Sequence, residues 1–126
     1  MSTILIVEDN EKNMKLVRDI LQHKGHVTLE AVTGTEGVRL AKTQRPDLVL
    51  MDIQLPDMDG IAALGEIRKD PGLDALPVLA VSASVMPDEQ QKIVASGFDA
   101  FITKPIALKP FLETVQRFLI DGRKQP

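Results

Sequence analysis

Cysteine, tryptophan and tyrosine are all missing from this chain of 126 residues. Without cysteine there is no disulfide framework and no thiolate-ligated zinc or iron–sulfur centre, whatever the redox compartment. Without tryptophan and tyrosine the usual platforms for stacking bases or sugars are gone, so any partner surface must rely on aliphatic, Met and Phe side chains. A charge excess is missing as well: 15 basic against 18 acidic side chains leave a net charge of −3. No Lys/Arg cluster lies on any one segment, which argues against direct binding to nucleic acid or to a membrane surface. Nor is there a long apolar run. The run after Met1-Ser2-Thr3 stops at Glu8 and has no basic segment before it, so neither a signal peptide nor a membrane span is expected, and the expected location is cytoplasmic. The two histidines, His23 and His26, flank Gly25 at an expected helix end and read as solvated loop residues rather than ligands.

What is present is a 44% hydrophobic chain of a length that fits one domain, residues 1–126, with a core over about 3–120. Short apolar runs alternate with segments of helical spacing. Strands are expected at 3–7, 28–31, 48–51, 78–81 and 100–102, and helices at 11–24, 34–44, 61–69, 87–96 and 108–120. Asn10 can cap the first helix and Gly25 close it, Arg45-Pro46 stops the second, and Gly97 closes the fourth. The last helix carries a stripe of Leu108, Phe111, Leu112, Val115, Phe118 and Leu119, followed by a polar tail, 121–126, that is expected to fray. Strands that are mostly apolar on both faces call for a parallel sheet covered by helices on each side.

In such an α/β fold, ligands sit outside the carboxyl ends of the strands. The polar residues there are Glu8 and Asp9, Asp52, Ser82 and Lys104. Taken singly, most have ordinary explanations. An acid after a strand is often an N-cap, a serine a turn residue and a lysine a solvated charge. Asp52 is harder to explain that way, because Ile53-Gln54-Leu55-Pro56 delays the next helix and leaves nothing obvious to cap. Three close carboxylates repel one another unless a cation intervenes, and Mg²⁺ suits oxygen donors that share it with phosphate. With that charge offset, Asp52 could act as a nucleophile toward phosphorus. Lys104, the Ser82 hydroxyl and the Ala83 backbone N–H would meet the phosphoryl oxygens.

The ordered set Leu5-Ile6-Val7-Glu8-Asp9-Asn10, Met51-Asp52-Ile53-Gln54-Leu55-Pro56-Asp57-Met58-Asp59-Gly60, Val81-Ser82-Ala83 and Thr103-Lys104-Pro105 resembles the receiver domain of two-component response regulators. The segment Val7-Glu8-Asp9-Asn10-Glu11-Lys12-Asn13-Met14 is especially similar to DivK-type cell-cycle regulators and to the receivers of hybrid kinases. The resemblance implies a flavodoxin-like (βα)5 fold, a doubly wound five-stranded parallel sheet in the order 2-1-3-4-5. It implies Asp52 as phospho-acceptor. Mg²⁺ would be held by Asp9, Asp52 and the Gln54 carbonyl, with Glu8 acting through water. Ser82, Ala83 and Lys104 would bind the phosphoryl group. It further implies a switch through Ser82 and Phe101 that remodels the face of helix four, strand five and helix five, and a cis peptide at Lys104-Pro105.

The implied partners are a sensor histidine kinase or histidine phosphotransfer protein and a downstream protein target, with no nucleic acid and no membrane, in a monomer or weak dimer. No effector is expected after helix five, so the chain would act by protein contact or by relaying phosphate, catalysing only its own phosphorylation and dephosphorylation. Glu8 in place of Asp, Ser82 in place of Thr and Phe101 in place of Tyr depart from the commonest pattern, and Gln54 and Ser84 stand where the family tunes phosphate loss. The alternative is a docking module that keeps the receiver fold and takes no phosphate. A haloacid-dehalogenase-type phosphohydrolase would need a second acid two residues after the nucleophile, where this chain has Gln54. A flavin binder would need a Gly-rich phosphate loop after strand one and aromatic walls.

Overall fold

The computed structural model describes residues 2–83 and 86–123. Ser84 and the end of the polar tail, 124–126, lie outside the described residues. Five strands, β1 (Thr3–Val7), β2 (Val27–Ala31), β3 (Leu48–Asp52), β4 (Val78–Ser82) and β5 (Ala100–Thr103), form one parallel sheet in the order β2-β1-β3-β4-β5. Between and after them run α1 (Glu11–His23), α2 (Gly34–Gln44), α3 (Gly60–Arg68), α4 (Pro87–Ala95) and α5 (Leu108–Asp121). This is the doubly wound arrangement expected from the sequence.

The central strands β3 and β4 are buried along their whole length, which explains their apolar character on both faces. Alternate residues point to opposite faces. Ile4, Ile6, Leu48, Leu50 and Leu79 pack under α1 and α5, against Met14, Val17, Leu21, Phe111, Val115 and Phe118. Leu5, Val7, Val49, Met51 and Ala80 pack under α2, α3 and α4, against Ala41, Ala63, Leu64, Ile67 and Ile93. Each core is therefore read off one parity of the same strands.

Local chemistry fixes the helix starts. Asn10, Thr33 and Asp59 each accept a backbone N–H from the first turn of α1, α2 and α3, at 3.0, 3.1 and 2.7 Å. The chain leaves α2 through Arg45 in the left-handed region at φ 50°, just before Pro46.

Several boundaries differ from the sequence reading. β3 and β4 extend one residue further, to Asp52 and Ser82, because a polar residue at a strand end breaks the apolar pattern without breaking the ladder. β2 starts at Val27, β5 ends at Thr103 and α3 starts at Gly60. The connection after α3 contains a 3-10 turn, Pro71–Leu73, capped by Asp70. Leu108, placed in the buried stripe of α5 by spacing, is 56% exposed, since it begins the helix before the stripe reaches the sheet. The polar tail is not free at its start: α5 includes Asp121, and the Arg123 guanidinium donates to Asp99 Oδ1 and to the Asp74 carbonyl, both at 2.9 Å. His26 is half-buried rather than solvated. Its Nδ1 has no hydrogen-bond partner, and burial lowers its pKa from the ordinary value of 6.5. Among the described residues no helix is long and apolar enough to cross a membrane.

Candidate functional site

Parallel strands deliver their carboxyl ends to one edge, and the register determines which residues meet there. Val7 lies opposite Met51, so the next residues, Glu8 and Asp52, emerge side by side from neighbouring strands. Ser82 lies opposite Thr103, and the Lys104 N–H donates to the Ser82 carbonyl at 2.9 Å, which brings Lys104 to the same edge.

The Lys104 ammonium stands 2.9 Å from Asp52 Oδ2 and 3.0 Å from Glu8 Oε1. Asp52 Oδ1 accepts the Gln54 N–H at 3.0 Å, and Glu8 Oε2 accepts the Asn10 N–H at 3.2 Å. Glu8 and Asp52 are buried, at 4% and 5% exposure, while Asp9 is exposed. Carboxylate oxygens of all three lie within 4.8 Å of one another. Burial, and then the neighbouring Asp52 carboxyl, push the Glu8 pKa above its ordinary 4.5. Burial acts to lower the Lys104 pKa, but its hydrogen bonds to Asp52 and Glu8 outweigh that and raise it above 10.5. One ammonium thus serves two of the three acids.

A cation fits this donor set. The donors are hard oxygens, with no sulfur or imidazole among them, and three carboxylates stand together where the Lys104 ammonium pairs with two of them. Asp52 stands between two clefts of about 490 Å³ each. One runs past Asp9, Gln54 and Pro56. The other runs past Ser82, Ala83 and Lys104 to α4.

The loop after β3 is built by close approach. The Gly60 N–H donates to the Ile53 carbonyl at 2.7 Å, and Gln54 and Asp59 form an isolated antiparallel bridge. A Cβ on Gly60 would lie 2.6 Å from the Asp52 carbonyl oxygen and 2.9 Å from Ile53 Cα, so only glycine lets α3 start against the end of β3. The Lys104–Pro105 peptide is cis.

The structure brings together Glu8, Asp9, Asp52, Gln54, Ser82, Ala83 and Lys104. Phe101 stands apart, half-buried on β5 and lining a shallow groove with Pro87, Gln90 and Val94 of α4. Three further residues were not singled out by sequence. Glu89 and Lys92 of α4 line the same cleft as Asp52, and no motif marks them. Asp57 in the β3–α3 loop accepts from the Gly34 N–H at 2.8 Å, the Thr35 N–H at 2.9 Å and the Thr35 hydroxyl at 2.6 Å. The Thr35 hydroxyl, with these two N–H groups, holds its pKa down at about 2.

Comparison with known proteins places this fold in a class. The response regulator receiver domain profile matches residues 4–116, and the chain belongs to that family. Among individual relatives, it is 42% identical over 120 residues to the polar-differentiation response regulator DivK of Brucella anthropi, covering 95% of this chain and 98% of that protein. It is therefore a response regulator receiver of the DivK type. The receiver domain of a sensor histidine kinase from Pseudomonas aeruginosa, solved with magnesium in its active-site cleft, superposes with a TM-score of 0.87 at 30% identity, covering 94% of this chain and 97% of that one. The chemotaxis response regulator CheY4 of Vibrio cholerae also gives a TM-score of 0.87, at 26% identity over 93% of this chain and 98% of that one.

Proposed function

We propose that this receiver takes a phosphoryl group on Asp52 from the phosphohistidine of a sensor kinase or phosphotransfer protein. It then signals in the cytoplasm through protein contact or by passing the group on. The observation that carries the reading is the Lys104 ammonium, held between Asp52 and Glu8 at the mouth of a cleft that Ser82 and Ala83 also line.

In the transfer, an Asp52 carboxylate oxygen attacks phosphorus, the P–N bond breaks as the P–O bond forms, and the departing imidazole takes up a proton. Lys104 already contacts Asp52 and is placed to follow the charge onto the phosphoryl oxygens, while the Ser82 hydroxyl and the Ala83 N–H offer donors from the next strand end. Asp9, Asp52 and the Gln54 carbonyl would hold Mg²⁺, with Glu8 reaching it through water. When bound, the ion supplies positive charge against the phosphoryl group. Inward movement of Ser82 toward that group, with rotation of Phe101, would remodel the groove between β5 and α4 for a partner. The chain turns over no separate substrate, and its chemistry is its own phosphorylation and dephosphorylation.

The test is intact-mass measurement after incubation with acetyl phosphate and Mg²⁺. One phosphoryl group is expected on the wild type and none on Asp52→Asn. Equal labelling of Asp52→Asn refutes the assignment, and a wild type that takes no phosphate from any donor points to the docking-module alternative.

A further inference from the structure

The β3–α3 loop is pinned from two sides, and only one of them belongs to the acidic site. On the inner side, Gln54 is held by its N–H to Asp52 and by the bridge to Asp59. On the outer side, the loop tip is tied to α2. Asp57 takes both backbone N–H groups and the hydroxyl at Gly34–Thr35, at 2.6–2.9 Å. The next residue, Met58, fills the space a side chain at position 34 would need: a Cβ there would lie 2.5 Å from Met58 Cγ and 2.9 Å from its sulfur. The loop thus has a hydrogen-bonded anchor and a steric one at the same spot on α2, on the far side from Asp52.

We propose that Asp57 is a positioning residue for the cation site. By clamping the loop tip to the first turn of α2, it fixes the direction in which the Gln54 carbonyl faces the acids. The inference rests on the metal ligation proposed above. The physical reason is preorganisation. A backbone carbonyl is a useful ligand only if its peptide plane is held, and groups behind the ligands commonly change metal affinity by about 10–100-fold. By linkage, a cation bound at the acids must in turn steady the Gly34–Thr35 turn.

Calorimetric titration of the full chain with Mg²⁺, in the absence of any phosphoryl donor, tests this. Asp57→Ala is expected to weaken Mg²⁺ binding by about tenfold, and Asp57→Asn, which keeps one acceptor oxygen, to fall between. Gly34→Ala reaches the same anchor from the α2 side, pushing on Met58 and standing 3.4 Å from Asp57 Oδ1, and weakens binding without altering any of the three acids of the cation site. Amide exchange at Gly34 and Thr35 should slow on adding Mg²⁺ in the wild type and not in Asp57→Ala. If folded Asp57→Ala and Gly34→Ala bind Mg²⁺ as tightly as the wild type, Asp57 is only a helix cap and the inference falls, while the phosphoryl-acceptor reading stands. If the wild type itself does not bind Mg²⁺, the metal ligation fails first and this inference with it.

Discussion

The two edges of the sheet each bury a carboxylate, and they treat it in opposite ways. At the amino-terminal edge, Asp99 sits before β5 with its side chain 8% exposed and receives two guanidiniums, Arg68 at 3.3 Å and Arg123 at 2.9 Å, plus the Val78 N–H at 2.9 Å. At the carboxyl edge, Asp52 is buried to a similar degree but shares one ammonium with Glu8, with Asp9 close by. In the first arrangement two guanidiniums bracket the buried carboxylate with Asp74 also nearby, and burial and then Arg123 hold Arg68 below its ordinary pKa although Asp99 and Asp74 act the other way. The second has more anion than cation, and its Glu8 is held above its ordinary pKa. A satisfied buried charge ties elements together, whereas an unsatisfied one leaves a place for an incoming ion.

That contrast can be broken at its structural end. Asp99→Ala leaves two partly buried guanidiniums without their carboxylate and frees Arg123, and should cost about 3–5 kcal/mol in denaturant unfolding. The folded fraction should still take phosphate at the wild-type rate. Loss of phosphorylation without loss of stability would reverse the roles assigned to the two edges.

At the other edge, Lys104→Met removes the cation that pairs with Asp52 and Glu8. The Lys104 side chain is 19% exposed, which softens the penalty, so about 2–3 kcal/mol is expected without metal. Mg²⁺ should recover part of that loss in the variant, whereas it should recover nothing in Asp99→Ala beyond what it gives the wild type. Equal recovery in both variants would show that the edges do not differ in unmet charge.

Gly60→Ala probes how tightly the loop is built onto the Asp52 backbone. With contacts of 2.6 and 2.9 Å to backbone atoms, a methyl group should cost about 1–2 kcal/mol, read as a drop in the melting temperature. An unchanged melting temperature would mean that the loop can yield at no cost.

The smallest expected effect concerns pH. The Asp57 carboxyl has a folded pKa of about 2 against an ordinary 3.8. A depressed carboxyl pKa contributes stability above 3.8 that is lost as pH falls from there through about 2. Asp57→Ala should therefore be less stable than the wild type at neutral pH, with the gap closing on acidification across that window. Glu8 has the opposite sign, since its raised pKa makes the folded state less stable as pH climbs past 4.5. A gap that widens in acid would contradict the hydrogen bonding assigned to Asp57.

The carboxyl edge was largely legible in the sequence and the amino edge was not. Glu8, Asp52 and Ser82 each end an apolar run and Lys104 follows one after Thr103, so local pattern places them, and a parallel sheet puts all run ends together. Asp99, Arg68 and Arg123 end no run of their own kind. Their pairing spans 31 and 24 positions and depends on how α3 and the end of α5 return beneath the sheet. Asp57 was missed for a related reason: its loop is recognisable from Pro56 and Gly60, but nothing in it names α2 as the partner 22 and 23 positions away. Ser82 and Asp52 fell outside the expected strands because apolar periodicity stops at a polar residue although the ladder continues.

The most direct measurement is the chemical location of the phosphate. After treatment with acetyl phosphate and Mg²⁺, borohydride reduction converts an acyl phosphate to an alcohol, and peptide mapping reads its position. A homoserine is expected at position 52 and nowhere else. Reduction at Glu8 or Asp9, or a stable phosphate on a hydroxyl side chain with Asp52 intact, would contradict it.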